Sequence, residues 1–336
     1  MLRPSTWLML LPALTLLVLA AGWRWAHPPA APGGTKGTAA QAAKPGSGET
    51  PLALLAEDAT TRTIGHVQGT SVIPRHPQRV AVLGWNDEAV ALGVVPVAAG
   101  GDGWRGFAPH LRDHLVGTRM IDSSGGGPDL EGLAEAKPDL IVAAWFWLNA
   151  YPALSRIAPT VVLQPSHQEW RQRFRDLALV LDRQADAESR LTALDLKIAE
   201  TRVAIHARIG DQTVALVRVF AREYRLYGKS FSGPLLYDDL GLTVPQMVRD
   251  TAWNGDVTRL SIEGLCRLDA DHILLMTEEH IPVSFQVRGR LEAHPLWARI
   301  PAVKAGQVHL VPDLVMRGGI IAREQMLDVL RQALAP

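Results

Sequence analysis

Short runs of apolar, β-branched residues alternate with helical patterns from Arg62 onward. Such runs, bounded by turn residues, are typical of strands, and their alternation with helices predicts parallel α/β units and not a β-sandwich. The predicted strands of the first half are 79–83, 94–98, 139–144 and 160–163. Those of the second half are 213–220, 224–227, 272–276 and 308–311.

The segment 167–209 separates the two sets of strands and contains many charges but no Gly or Pro. It predicts two helices, divided near residues 182–185. The second helix, 186–209, would be about 36 Å long at about 1.5 Å per residue, which is enough to join two lobes. An ordinary surface helix could have this length too, but the position between two strand-rich halves favours a connecting helix.

The two halves resemble each other in three segments that occur in the same order. QRVAV at 78–82 matches QTVAL at 212–216, and LGVVP at 92–96 matches LGLTVP at 240–245. DLEGL at 129–133 matches SIEGL at 261–265, and an N-cap residue opens a short helix in each copy. Three matches in order predict two lobes of similar fold.

The N-terminus predicts a leader and a linker outside the fold. Arg3 precedes an apolar run over 7–23, so residues 1–26 are either a cleaved secretory signal or a retained anchor. Both alternatives place residue 27 onward outside the cytoplasm. Residues 27–61, rich in Pro, Ala, Gly, Thr and Ser, predict a flexible linker. The other expected units are an N-terminal lobe at 62–182, an inter-lobe helix at 183–209 and a C-terminal lobe at 210–336.

Composition narrows the classes of function. The chain has 34 Lys and Arg against 34 Asp and Glu, so its formal net charge is zero and nucleic acid is not an expected partner. The single cysteine, Cys266, excludes an intramolecular disulfide framework and a multi-cysteine metal cluster. Cys266 falls on an apolar helical position, which predicts a core residue and not a nucleophile.

Motifs for catalysis are incomplete. Gly228-Lys229-Ser230 resembles the end of a phosphate-binding loop, but Glu223 stands where the first glycine of that loop is required. His110 and His114 are spaced one helical turn apart and could bind a metal, yet no third ligand is placed to complete a site. We therefore expect a protein that is not an enzyme and has no cofactor of its own.

Aromatic residues follow the ends of several predicted strands. Trp85 comes just after strand 79–83, and Trp145 and Trp147 come just after strand 139–144. The carboxyl edge of an open α/β sheet is the usual ligand crevice. The second half of the chain has a comparable cluster of tyrosines and arginines, which begins at the end of its first predicted strand, 213–220. The predicted ligand-binding side chains are therefore Trp85, Trp145, Trp147, Tyr224, Tyr227 and Trp253, with Arg218, Arg222 and Arg225 beside the two tyrosines.

Over roughly residues 63–334, the sequence resembles the periplasmic ferric-siderophore-binding proteins of ABC importers. The resemblance rests on IPxxPQRV at 73–80, ALGV at 91–94, DLE at 129–131 with KPDLI at 137–141, and PLW at 295–297 before Gly306. The ferric-hydroxamate binders are the most similar subgroup, through VLxW at 82–85, RIAP at 156–159, and Trp253 before SIE at 261–263. The resemblance implies two Rossmann-like lobes joined by one long helix, the class III periplasmic binding protein fold.

The resemblance also implies roles for single residues. Glu131 and Glu263 correspond to two surface glutamates, one on each lobe, that dock onto arginines of the permease. Arg119 corresponds to the arginine that hydrogen-bonds iron-bound hydroxamate oxygens, and Trp253 to a tryptophan that packs against the siderophore. Trp147 stands where the hydroxamate binder has a tyrosine. Because the siderophore supplies the iron ligands, no protein metal site is required.

We therefore expect an extracytoplasmic, monomeric solute-binding protein that captures a ferric siderophore, with hydroxamate favoured, and delivers it to the permease dimer of an inner-membrane ABC importer. The location implied is the periplasm. Cobalamin or haem binding by the same fold is the first alternative, in which Tyr224 or Tyr227 would ligate haem iron. A metal receptor that uses His110 and His114 and an anchored α/β enzyme are further alternatives.

Overall fold

Among the described residues, the β-strands form one small antiparallel sheet and two larger sheets. The structure, a computed structural model, describes residues 52–101, 106–122, 126–164, 170–220, 223–254, 257–276, 288–316 and 318–336. The predicted leader, 1–26, and most of the predicted linker lie outside the described residues.

The small sheet has the order β1-β2-β3 and comprises β1 (Ala53–Glu57), β2 (Thr61–His66) and β3 (Gly69–Pro74). It corrects the predicted linker 27–61, because β1 lies within that range and pairs with β2. The sequence gives little sign of β1, since most of its residues are exposed and its order comes from backbone pairing across the hairpin.

The first large sheet is entirely parallel and has the order β6-β5-β4-β7-β8. Its central strands are buried from end to end, as expected for a sheet covered on both faces. The strands are β4 (Val80–Leu83), β5 (Ala98–Gly100), β6 (Arg119–Ile121), β7 (Leu140–Ala144) and β8 (Thr160–Leu163). The accompanying helices are α1 (Asn86–Ala91), α2 (Leu130–Glu135) and α3 (Tyr151–Ile157).

The predicted strand 94–98 is wrong in its position, because β5 begins only at Ala98. Gly93 ends the helical turn before it with a φ of 76°, a conformation that glycine adopts readily. Pro96 has no backbone N–H to donate to a neighbouring strand, so the ladder forms after it. The other three strands predicted for this sheet are confirmed to within one residue.

Two helices connect the large sheets, α4 (Trp170–Leu181) and α5 (Gln184–Ile209). They divide at Asp182, which has a φ of 56°. The 26 residues of α5 span about 39 Å. One stripe of the helix is buried, with residues three or four apart: Ala187, Leu191, Leu194, Ile198, Thr201, Ile205 and Ile209.

The second large sheet is mixed and has the order β11-β10-β9-β12-β13. Its strands are β9 (Val214–Val219), β10 (Tyr224–Tyr227), β11 (Val257–Leu260), β12 (His272–Met276) and β13 (Val308–Val311). The expectation of purely parallel units is wrong here, since β10 runs antiparallel to β9 and β11. The short connection between β9 and β10 allows only a hairpin.

Helical segments surround the second sheet. They are a π-helical turn (Pro234–Asp239), α6 (Gln246–Thr251), α7 (Ile262–Leu265), α8 (Pro301–Lys304) and the C-terminal α9 (Ile320–Leu334). Short 3-10 turns occur at Trp297–Arg299 and Asp313–Met316. One buried apolar cluster continues from the first sheet through α4, α5 and α9 into the second sheet.

The internal repeat has a structural counterpart in each sheet. Strands β4, β7 and β8 form a parallel triplet, as do β9, β12 and β13. The predicted N-caps are confirmed: the Asp129 carboxylate accepts a hydrogen bond from the Gly132 N–H at 2.9 Å, and the Ser261 hydroxyl accepts one from the Gly264 N–H at 3.3 Å. The two sheets are therefore built on one plan.

Candidate functional site

The carboxyl edges of the two large sheets approach each other at one point. Asp87 lies just after β4, and its carboxylate accepts hydrogen bonds from the N–H groups of Ile321 at 2.8 Å and Ala322 at 3.1 Å, which follow β13. Arg173 of α4 donates to the Gly318 carbonyl at 3.4 Å. Since ligands of open α/β folds bind at these edges, the cleft between them is the candidate site.

Three consecutive aromatic residues, Trp145, Phe146 and Trp147, follow the carboxyl end of β7 and are named here the aromatic step. The 3-10 turn Trp145–Ala150 directly follows β7, and it leaves 40% of Trp145 and 52% of Phe146 exposed. The Phe146 ring centroid lies 6.0 Å from that of Trp145 and 5.2 Å from that of Trp147. These exposed, mutually packed rings offer a ready-made apolar surface to a ligand.

Gly84 makes room for the aromatic step at the end of β4. A Cβ atom at this position would lie 2.7 Å from the Ala144 Cβ and 3.2 Å from the Phe146 ring, and the φ of Gly84 is 128°. A larger residue is excluded on both grounds. Sequence reasoning missed Phe146, although its position between two candidate tryptophans was a usable signal.

Trp85 comes just after β4 and packs against a cationic side chain. The guanidinium carbon of Arg173 sits 4.6 Å from the Trp85 ring centroid, and the Arg173 Nη2 donates to the Glu88 carboxylate at 2.8 Å. The Trp85 indole Nε1 is buried and has no hydrogen-bond partner among the described residues. A bound ligand or water could accept from this N–H group.

In the second large sheet, the hairpin between β9 and β10 lies at the carboxyl end of β9. The guanidinium carbons of Arg218 and Arg225 lie over the Phe220 ring, at 4.5 Å and 3.9 Å from its centroid. Tyr224 pairs with Val219 at the carboxyl end of β9 and is half-buried. Burial is the main cause that raises the pKa of the Tyr224 phenol, so this side chain stays protonated at neutral pH.

Two residues predicted for the site lie elsewhere. Tyr227 is only 1% exposed and belongs to the core, which corrects its assignment to a ligand wall. Trp253 packs at 5.7 Å on Tyr237, whose hydroxyl donates to the Val214 carbonyl at the start of β9. Trp253 is therefore near the opposite end of the sheet from Tyr224, and the structure does not bring these two aromatics together.

Arg119 also lies away from the cleft. It is the first residue of β6, so it stands at the amino end of its strand and not at the carboxyl edge. Its Nη2 contacts the Glu135 carboxylate of α2 at 2.6 Å. The geometry therefore corrects its assignment as a ligand-binding arginine.

Glu131 and Glu263 occupy matching places in the two halves. Each is exposed in the first turn of a short helix, α2 or α7, that follows the edge strand β6 or β11. The Ser261 hydroxyl is the main cause that lowers the pKa of Glu263, which keeps its carboxylate charged. The fold thus presents one exposed acid on each lobe at equivalent positions.

The other candidate groups are engaged in structural contacts. His110 Nε2 lies 2.8 Å from the Asp87 carboxylate within a 3-10 turn, so the helical His110–His114 metal pair is not formed. Cys266 donates to the Leu296 carbonyl at 3.1 Å, and burial raises the pKa of its thiol, which disfavours a nucleophile. In the described part of the chain, no group of three or more His, Cys, Asp and Glu side chains could hold a metal.

A separate hollow of about 400 Å³ lies away from the cleft. It is lined by β3, α3 and the start of β8, including Ser71, Tyr151 and Thr160. The Ser71 hydroxyl donates to the Thr160 carbonyl at 2.7 Å and lies 2.9 Å from His66 Nε2. These contacts attach the small sheet to β8 and leave the hydroxyl without a nucleophilic role.

Comparison with known proteins identifies the class. A family model described as periplasmic binding protein matches residues 89–314. The achromobactin-binding periplasmic protein of Dickeya dadantii is 31% identical over 75% of this chain and 85% of its own. The probable siderophore-binding lipoprotein YfiY of Bacillus subtilis is 29% identical over 80% of this chain and 86% of its own.

A solved structure agrees in fold. Staphylococcus aureus SirA, in complex with staphyloferrin B, superposes with a TM-score of 0.70 at 27% identity, covering 81% of this chain and 98% of that one. The chain thus belongs to the periplasmic binding protein family, in the class whose two α/β lobes are joined by one long helix. The family consists of solute-binding proteins and not of enzymes, which confirms that expectation.

Proposed function

We propose that this protein captures a ferric siderophore in the cleft between its two lobes. The observation that carries the proposal is the aromatic step of Trp145, Phe146 and Trp147 at the carboxyl edge of β7, in which Trp145 and Phe146 are exposed. Relatives named for siderophore, achromobactin and ferric citrate binding support the same ligand class. The siderophore supplies the ligands to iron, so the protein needs walls and a few donors instead of metal-binding side chains.

Replacing one ring of the aromatic step tests this role. Phe146→Ala should weaken binding of a ferric siderophore about tenfold or more, because truncating an aromatic anchor costs about 1.4 kcal/mol or more. Titration followed by tryptophan fluorescence measures the affinity. The matched control is Leu196→Ala, which removes an exposed apolar side chain from α5. Equal affinities of both variants and the native protein would remove the step from the site.

Delivery to an ABC permease is the second part of the proposal. Glu131 and Glu263 would each meet a basic residue of a two-fold symmetric permease, because they are equivalent acids on the two lobes. The double variant Glu131→Gln/Glu263→Gln should abolish siderophore uptake by cells and leave ligand affinity unchanged. Glu200→Gln/Glu292→Gln, with the same change of charge at exposed positions, should transport normally. Loss of ligand affinity in the first variant would contradict the docking role.

The location proposed is the periplasm, reached through the N-terminal segment as a cleaved signal or a retained anchor, and the working form is a monomer. Two relatives are named lipoproteins, but Cys266 is the single cysteine of this chain, so a lipidated leader cysteine is not part of the proposal. None of the helices described by the structure is both long enough and apolar enough to span a bilayer.

Binding of haem through a tyrosine ligand has less support than binding of a ferric ion that is already chelated. Tyr227 is in the core, and the raised pKa of Tyr224 opposes the phenolate that a ferric haem ligand requires. The preference for a hydroxamate siderophore rests on the sequence matches at 82–85 and 156–159 and on Trp253, of which Trp253 lies away from the cleft. Relatives named for iron(3+)-hydroxamate binding support this preference.

A further inference from the structure

The small sheet has an open edge along β3. In the strand order β1-β2-β3, one side of β3 pairs with β2, and the other side pairs with no strand among the described residues. An unpaired strand edge presents backbone N–H and C=O groups to any extended chain that comes alongside it. The register of β3 with β2 determines which residues present these groups.

One backbone hydrogen bond fixes the orientation of β3. The Arg75 N–H donates to the Thr60 carbonyl at 2.8 Å, and these two residues lie directly opposite each other because Pro74 pairs with Thr61. Directly opposite residues of an antiparallel pair are alternately hydrogen-bonded and not hydrogen-bonded. The odd-numbered residues of β3 therefore bond to β2, and the even-numbered residues 70, 72 and 74 turn their backbone groups to the open edge.

The open edge offers two backbone donors. Thr70 and Val72 each present an N–H and a C=O group, whereas Pro74 has no N–H and ends the row of donors. The Val72 side chain is 57% exposed beside them. This spacing, with donors and acceptors two residues apart, matches an added β-strand.

A hollow of about 400 Å³ lies beside this edge. Val72 lines it, together with the last turn of α3 and Thr160, the first residue of β8. Since Thr160 begins its strand, the hollow lies at the end of the first large sheet opposite the carboxyl edge of the cleft. Val72, Ile157 and Pro159 give the hollow apolar groups that suit an aliphatic side chain.

Arg156 gives the hollow a positive charge. Among the described residues that line the hollow, Arg156 alone is charged. It is exposed in the last turn of α3, and its guanidinium group makes no ion pair or hydrogen bond with the described residues. The C-terminal end of a helix favours a cation, but this leaves the guanidinium donors unused. Charge complementarity therefore favours a partner that carries a carboxylate.

We propose that the open edge of β3 binds an extended acidic segment of a partner protein. The segment adds to the small sheet as a fourth strand, and the backbone groups of Thr70 and Val72 supply its main-chain hydrogen bonds. One aliphatic side chain of the segment fills the hollow, and a carboxylate pairs with Arg156. This inference does not depend on siderophore binding, because the edge lies away from the cleft.

The probe is a set of labelled, N-acetylated hexapeptides that alternate Thr and Val and end in two acidic residues. Titration with the full chain, followed by fluorescence anisotropy, measures their affinity. They should bind saturably with a Kd below about 1 mM, and about three times or more tightly than the same peptides ending in Asn and Gln. Peptides with a central proline should bind more weakly, because proline interrupts the added strand.

Val72→Pro tests the main-chain contact. The substitution removes an N–H group that faces the open edge and spares the bonds of the odd-numbered residues to β2. It should weaken binding of the acidic peptides by about threefold to tenfold, because one hydrogen bond is lost. Val72→Thr is the matched control, since it keeps both the N–H group and the β-branched shape, and it should bind like the native protein.

Arg156→Gln tests the charge. It should reduce the affinity for the acidic peptides to that for the neutral ones, with no change for the neutral peptides. Arg267→Gln removes another exposed arginine, one from the second half of the chain, and should leave both affinities unchanged. Urea unfolding of each variant separates loss of folding from loss of binding. Equal affinities of Arg156→Gln and the native protein for the acidic peptides would contradict the role of Arg156.

Hydrogen exchange of the native protein gives a second readout if Val72→Pro does not fold. The amide of Val72 should exchange more slowly only when an acidic peptide is bound. Protection of this amide without peptide would overturn the inference, because a monomer would then hold its own chain on the edge and a dimer would hold a second copy. Saturable binding of none of the acidic peptides would also overturn it. Ferric siderophore affinity, measured in parallel, should be equal in all variants, so failure here leaves the proposed function standing.

Discussion

His272, which is buried, and His309, which is half-buried, form a pair of imidazoles near the amino ends of β12 and β13. His272 Nδ1 lies 3.1 Å from His309 Nε2, and His272 Nε2 lies 2.9 Å from the Gln212 side-chain oxygen. An amide oxygen can only accept, so His272 donates to Gln212 and accepts from His309. Burial is the main cause that lowers the pKa of both imidazoles below the usual 6.5.

This pair predicts a loss of stability in mild acid. A lowered folded-state pKa means that the neutral pair contributes fully above about pH 6.5, and that this contribution is lost as the pH falls through the lowered values. The urea midpoint should therefore drop between pH 7.5 and pH 5, and His309→Gln should reduce the drop by removing one titrating group. His114→Gln, at an exposed position, should leave it unchanged. An equal drop in all three proteins would contradict the role of the pair.

The position of a single residue could be predicted from the sequence only where a local interaction determines that position. The caps Asp129 and Ser261 follow from a hydrogen bond within four residues, and Trp145 follows from the end of a buried strand. Tyr227 was mistaken for a wall residue because only the hairpin register turns it into the core. Arg119 was misplaced because its partner, Glu135, depends on how α2 packs against β6.

The first turn of helix α9 is capped by a residue from the other half of the chain, Asp87. The Asp87 carboxylate accepts from two N–H groups of its first turn and also contacts His110. A Cβ atom on Gly319 would lie 2.1 Å from the Asp87 Cγ, so this close approach requires glycine. Asp87 thus caps the C-terminal helix and joins it to α1.

Asp87→Ala should destabilise the protein by about 2–4 kcal/mol, because it removes the cap of α9 and leaves buried donors without an acceptor. The comparison is Asp129→Ala, which removes a single cap bond from a short helix and should cost about 1 kcal/mol. Urea unfolding measures both free energies. A cost for Asp87→Ala no larger than that for Asp129→Ala would show that this inter-lobe cap contributes little.

Most strands and helices could be predicted because the periodicity of their hydrophobic residues distinguishes one from the other. The buried strands β8, β12 and β13 and the long helix α5 agree closely with the sequence pattern. The small sheet was missed because β1 is mostly exposed and gains its order from pairing with β2. The direction of β10 was missed because strand direction depends on the connection and not on the period of the strand.

At the scale of the whole molecule, several contacts besides α5 join the two halves. Arg171 of α4 contacts Asp239 of the π-helical turn at 3.0 Å, Arg173 reaches the Gly318 carbonyl, and the apolar cluster is continuous between the sheets. The burial of Arg323 next to these groups is the main cause that lowers the pKa of its guanidinium to about 10. Such a connection suits a cleft that is largely formed before the ligand arrives.

The central claim, capture of an intact ferric siderophore, is tested most directly by native mass spectrometry of the protein mixed with ferric hydroxamate, catecholate and citrate complexes, cobalamin and haem. The account predicts one ferric chelate retained per monomer, with its mass unchanged, and less retention by Phe146→Ala. Retention of only cobalamin or haem would contradict the claim while leaving the fold intact. Retention of none of these ligands would contradict the assignment as a receptor for this class.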